Sequence, residues 1–160
     1  MNASIQTLEA ASVSSVNNKT QNIINELIAT HNDRYEGYIN SIKEVTDTHL
    51  KDLFTRISLQ SKKFSEELKT LVPFINVESQ TALSEQLFRA EIYVRTAVLR
   101  KDLCRVLSTC EYGEVMVVNN YTVALKEESL SNDIRIILEK QLSLITSNIQ
   151  DLRGLNTSAC

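Results

Sequence analysis

Residues 103–124 read LCRVLSTCEYGEVMVVNNYTVA. Leu103, Leu107, Cys110, Glu114, Val117, Tyr121 and Ala124 stand alternately four and three residues apart. That interval keeps them on one seam of a long α-helix, of the kind that packs in a bundle. Glu114 is the carboxylate in this row, and a buried carboxylate has to be paired, protonated or bound to a cation. The function of the chain therefore turns on what Glu114 meets, and the fold on whether the rest of the chain carries matching seams.

It does. Ile24, Ile28, His31, Tyr35, Tyr38, Ile42 and Val45 follow the same interval, which predicts a helix over 19–46. The tetrapeptide TDTH interrupts it, with Asp47 a cap for the next helix. That helix buries Leu50, Leu53, Ile57, Gln60, Phe64, Leu68 and Leu71 and stops before Pro73, since the residue before a proline disfavours helix. PFINVES forms a turn. A segment over 79–99 carries Leu83, Leu87, Ala90, Val94 and Ala97, and the quoted stretch forms a helix over 101–127. Ser129 or Ser131 caps a last helix over 131–153, with Ile134, Leu138, Gln141, Ile145, Asn148 and Leu152 on its seam and Gly154 placed to end it.

Composition agrees with an all-α domain. The 160 residues hold three Gly, one Pro and no Trp, whereas a β-sandwich or barrel needs turn residues about every ten positions. The length suits one domain with a real core. The expected organisation is a flexible tail over 1–17, a bundle over 18–155 and a short tail over 156–160. The first residues lack the basic start and apolar run of a signal peptide, and no stretch approaches the ~20 apolar residues of a membrane span.

At 1.5 Å per residue, four of the helices reach roughly 35–40 Å, and the 79–99 segment spans ~30 Å, enough to carry the chain back along the bundle. A tight hairpin, a long crossover and a second tight hairpin make the ferritin-like topology. The expected fold is a ferritin-like four-helix bundle of two hairpins with an additional crossover helix. Shifting the first helix by 83 lays His31 on Glu114 and Tyr38 on Tyr121; shifting the second by 81 lays Gln60 on Gln141. This fits an internal pseudo-two-fold.

RYEGYINSIKEVTDTHLKDLFTRISLQSKKFSEELKTLV, then CEYGEVMVVNNYTVAL and EKQLSLITSNIQDLRGL, resemble a bacterial family of ferritin-like bundles described as a domain of unknown function. The characteristic pieces are EGY on the first helix, LF-x5-Q-x3-F-x2-EL on the second and CE-x-GE on the fourth. The resemblance covers about residues 22–155 and implies a fold with no established activity. Di-iron members of the wider superfamily place a Glu on each of two helices and Glu-x-x-His on each of the other two. Here His31 and Glu114 take the single-Glu positions, and Gln60 and Gln141 stand where Glu-x-x-His would begin. No Glu-x-x-His occurs, since Ile28 and Thr46 precede the two histidines, His31 and His49, by three residues. The di-iron reading fails on ligand number.

What remains is a candidate polar layer of His31, Gln60, Glu114 and Gln141, hydrogen-bonded among themselves and to Tyr38 and Tyr121, with Glu114 expected to pair with His31 or take a proton. The alternative is a degenerate carboxylate metal site in which His31, Glu111 and Glu114 hold an ion with water. Gly37 and Gly113 inside helices each cost ~1 kcal/mol relative to Ala, and close helix approach is the expected reason.

The remaining features are surface features. The formal charge of −3 argues against bulk nucleic-acid binding, and Arg89, Arg95, Arg100, Lys101 and Arg105 read as a solvated basic face. Cys104 and Cys110 are too far apart to bridge, and with Cys160 they make neither a C-x-x-C pair nor a disulfide framework, which points to the cytoplasm. Phe88, Ile92, Leu99 and Val115 lie off the seams and would cover the crossover helix or form a homodimer contact. No nucleophile with its base, phosphate loop or cofactor motif is present. The expectation is a non-enzymatic structural or stress-associated interaction module with no resident cofactor, binding an unidentified protein partner or a second copy, and neither nucleic acid nor membrane. A metal-binding oxidoreductase relative is the alternative. A small-molecule carrier is a third reading, requiring a cavity beside the polar layer.

Overall fold

The computed structural model describes residues 2–75 and 82–160, with side chains described from residue 18 onward except 82–84. The described residues form five helices: α1 (Asn2–Glu44), α2 (Thr48–Lys69), α3 (Ala82–Leu99), α4 (Leu103–Ala124) and α5 (Asn132–Ala159). The expected PFINVES turn from residue 76 onward and the side chain of Leu83 lie outside the described residues. No described residue is in a strand. α1 packs along α2, α4 packs along α5, and α3 lies against both α1 and α4.

Caps set the reversals. The Asp47 carboxylate accepts from the Leu50 amide at 2.9 Å and starts α2, and Ser131 does the same for α5 through Ile134. Between α3 and α4, Lys101 is left-handed at φ 55°. The Asp102 amide reaches the Ala97 carbonyl and the Lys101 amide reaches Val98, which closes α3 as a Schellman turn. Asp102 then caps α4 by accepting from the Arg105 amide at 3.0 Å, so α4 starts after Lys101 rather than at it.

Two helix ends differ from expectation. α1 begins at Asn2 rather than near residue 18, through a segment with neither Gly nor Pro to stop it. α5 continues through Gly154 to Ala159. Gly154 has no positive φ, so it is an interior helical residue and not the terminating glycine.

The interior is divided. One apolar cluster joins Ile24, Leu27 and Ile28 of α1 to Phe64, Leu68, Val117, Tyr121, Leu138 and Ile145. A second joins Val45, Leu53, Phe54, Ile57, Val94, Leu107, Cys110 and Leu152. On each of α1, α2, α4 and α5 buried polar residues stand between the two clusters: His31 and Arg34, Ser61, Glu114, and Asn148. Ser58, Ser61 and Ser65 are buried on α2. Ser58 and Ser61 bond their own helix's carbonyls, while Ser65 donates to Asn32 of α1.

Candidate functional site

The seam of α1 is wider than the row expected from sequence, whose Ile24, Ile28, His31 and Val45 are buried. Ile24, Leu27, His31, Arg34, Ser41 and Val45 are buried, whereas Tyr35 and Ile42 are half-buried. With Tyr38 these residues run 24, 27, 31, 34, 38, 41, 45, a second 3-4 row sharing 24, 31, 38 and 45 with the first. Arg34 and Ser41 made this row look less apolar than the one through Tyr35 and Ile42. That choice carries Arg34 into the centre of the bundle.

Arg34 is the partner of Glu114. Its Nε donates to Oε1 at 2.8 Å and its Nη2 to Oε2 at 2.5 Å, a two-pronged pair with both side chains 1 % exposed. Arg34 also donates to Ser61 Oγ at 2.6 Å and to Gln60 Oε1 at 3.1 Å. The Tyr38 hydroxyl donates to Glu114 Oε1 at 2.9 Å. Asn148 Nδ2 reaches Glu114 Oε2 and Gln60 Oε1. Thus α1, α2, α4 and α5 meet in one charged, hydrogen-bonded node. Burial works against the Arg34 charge, but Glu114 outweighs it and holds the guanidinium above its ordinary pKa. Burial, then Glu114, also pushes the Tyr38 hydroxyl and the Cys110 thiol well up, so Cys110 stays a protonated thiol and a poor nucleophile.

His31 and Gln141 belong to a separate chain of bonds. The Tyr121 hydroxyl donates to Gln141 Oε1, and Gln141 Nε2 donates to Glu67 Oε2 at 2.7 Å. Tyr121 oxygen is then an acceptor, so His31 Nε2 carries the proton that joins them at 2.6 Å. His31 Nδ1 is buried with no partner, and the ring stands edge-on to Phe64. Burial, then the nearby Arg34 charge, pulls the His31 pKa well below its usual value. The neutral imidazole is the resident form.

The four residues of the expected layer therefore fall into two networks, Gln60 with Glu114 and His31 with Gln141. Gln60 is half-buried and the other three are buried. The expected pairing of Glu114 with His31 gives way to Arg34, because a bidentate guanidinium meets both carboxylate oxygens at once. Arg34 and Ser61 were missed, and Asn148, expected on the α5 seam, was not expected to join Glu114. Arg34 had a sequence signal in the second 3-4 row; Ser61 and Asn148 gain meaning only from their partners.

The alternative metal ligands do not converge. His31 faces Tyr121, Glu114 faces Arg34, and Glu111 accepts from Arg153 of α5 at 2.6 Å near the surface. Among the described residues no group of three or more His, Cys, Asp or Glu is placed to share a metal ion. Gly37 and Gly113 do not mark a close approach of helices either. A Cβ on Gly37 would sit in ordinary contact with Glu91 Cβ at 3.8 Å, and one on Gly113 would meet nothing within 4 Å. Both glycines line a cavity among α1, α3 and α4 that reaches Arg34 and Glu114.

His49 is exposed, as are Arg89, Arg95, Arg100, Lys101 and Arg105, with Arg95 bonded to Glu44. Phe88, Ile92 and Leu99 project into solvent from the outer face of α3, joined by Tyr93, while Val115 is half-buried. Cys104 at the start of α4 is joined to Cys160 beyond α5 by a disulfide with a Cα–Cα distance of 5.8 Å. This corrects the expectation of unpaired cysteines: helix packing places two distant positions side by side, and the ground for a cytoplasmic location is removed. Cys110 is free and buried. No helix among the described residues is long and apolar enough to cross a membrane.

No curated protein matches the chain. The family described as Domain of unknown function (DUF2383) matches residues 19–127, from within α1 through the end of α4, leaving α5 beyond the match. The node residues Arg34, Gln60, Ser61 and Glu114 fall inside that span, and the chain belongs to this family.

Proposed function

We propose that this chain is a non-enzymatic, ferritin-like bundle that acts by binding, as a structural interaction module. The observation that supports it most is the saturation of Glu114. Both carboxylate oxygens are engaged by Arg34, with Tyr38 and Asn148 adding further donors. The cation at this carboxylate is a guanidinium, which neither exchanges ligands nor cycles electrons. A bidentate buried pair spanning helices suits register and rigidity. It leaves Glu114 without a free oxygen to bridge metals.

Metal content after anaerobic incubation with Fe(II) tests this reading. Wild-type protein is expected to retain only trace metal. Stoichiometric metal that disappears in Glu114→Gln would sink the proposal and restore the metal-binding alternative.

The proposed partner of the outer α3 face is a second copy of the chain, because Ile92, Tyr93 and Leu99 are 47 %, 64 % and 71 % exposed along one helix. Sedimentation equilibrium is expected to give twice the 18.1 kDa chain mass, and Leu99→Glu to return it to the monomer. A wild-type monomer at high concentration would remove the dimer from the proposal.

A further inference from the structure

Two glycines inside helices need a reason, since each costs stability and neither is required by φ or by a neighbouring backbone. What they share is a cavity. Gly37 of α1 and Gly113 of α4 both line a space of about 50 Å³ roofed by α3, enough for a few water-sized groups where one water needs ~10–15 Å³. Its walls are mainly apolar, with Leu87, Ala90 and Val94 of α3 and the buried Cys110 among them. The Arg34–Glu114 pair closes its inner end with its charges already matched.

The outer end has a different character. Asp33 and Glu91 line this cavity and also a larger surface groove of about 250 Å³, where Glu36 and the exposed ring of Phe88 join them. Asp33 Oδ2 is shielded from solvent and has no hydrogen-bond partner. Glu91 accepts from Asn40 through Oε1, and its Oε2 lies 3.9 Å from the position a Cβ would take on Gly37. Among the described residues, no basic side chain other than Arg34, which Glu114 neutralises, lines either space. The mouth is an acceptor-rich, anionic rim on an apolar hole.

The geometry points to a binding site for a small primary alkylammonium compound, its alkyl part in the glycine-lined cavity and its ammonium at Asp33 and Glu91. An ammonium supplies donors for the unpartnered Asp33 oxygen and charge for the rim. A short unbranched chain fits between the two glycines, where any side chain would stand in its way. The exposed Phe88 ring adds a face that attracts cations. This assignment goes beyond the surface-binding reading and does not depend on it.

The test uses the full chain with n-butylammonium and the neutral n-butanol as probes, followed by calorimetry and by amide shifts of α1, α3 and α4. Wild-type protein is expected to bind n-butylammonium at least tenfold more tightly than n-butanol. Gly113→Ala is expected to weaken n-butylammonium at least tenfold while melting at or above the wild-type temperature, since the new methyl meets no protein atom. Asp33→Asn is expected to bring the two probes to similar affinity. Equal binding of both probes by wild type, unchanged binding in Gly113→Ala, or no binding of either probe would each overturn the assignment.

Discussion

Replacing Glu114 by Leu leaves the Arg34 guanidinium buried without a counter-charge. Arg34 is 3 % exposed, and it would keep neutral acceptors at Ser61 and Gln60 but lose both bonds to the carboxylate. Breaking a buried pair in this way costs ~3–5 kcal/mol, against a total stability of roughly 5–15 kcal/mol for a domain. Arg34→Met should cost less, because the Glu114 carboxylate keeps the Tyr38 and Asn148 donors, whereas a stranded guanidinium cannot lose its proton. Urea unfolding followed by far-ultraviolet circular dichroism gives the free energies. For a chain of this size the melting temperature should fall by about 6–20 °C in Glu114→Leu. The double variant Arg34→Met/Glu114→Leu removes both charges and is expected to recover most of the loss, with a coupling energy above ~2 kcal/mol. Additive single losses, or a loss below ~1 kcal/mol for Glu114→Leu, would refute the buried pair as the centre of the bundle.

Two further outcomes follow from the same interior. The folded-state pKa of His31 is depressed, so its contribution to stability is complete above the unfolded value near 6.5 and is lost as pH falls below it, by up to ~1.4 kcal/mol per pH unit. His31→Gln should flatten the acid limb of a stability–pH curve relative to wild type, whereas an unchanged slope would mean that His31 is not held neutral; the exposed His49 is the control. The Cys104–Cys160 bond joins positions 56 residues apart, and by loop-closure entropy its removal in Cys160→Ser should cost ~2–4 kcal/mol. Thiol titration of the unreduced, denatured chain should find Cys110 alone reactive, and three reactive thiols would show that the bond does not form.

The all-α class was legible because it rests on local physics. Hydrophobic seams at 3-4 spacing, few glycines and prolines, and capping residues such as Asp47 and Ser131 act within a few residues of one another. The rows on α4 and α5 are buried from Leu107 to Ala124 and from Leu138 to Leu152, Glu114, Gln141 and Asn148 included, while Leu103 is exposed. On α1 two rows share 24, 31, 38 and 45, and side-chain chemistry hid the one that carries Arg34 and Ser41 inward. Tyr35 looked like a core residue and Arg34 like a surface one, a preference that holds until a carboxylate is waiting across the bundle.

The helices, their breaks and the presence of a polar seam follow from short-range patterns. Which polar groups meet does not, because partners lie far apart in the chain and a heptad row says which face is buried without saying what it faces. Arg34 and Glu114 are 80 residues apart, Cys104 and Cys160 56, and Gly37 and Gly113 serve a cavity that exists only once α3 lies over α1 and α4. A glycine in a helix reads the same whether a backbone or a space stands opposite it. Tertiary packing decided that it was a space.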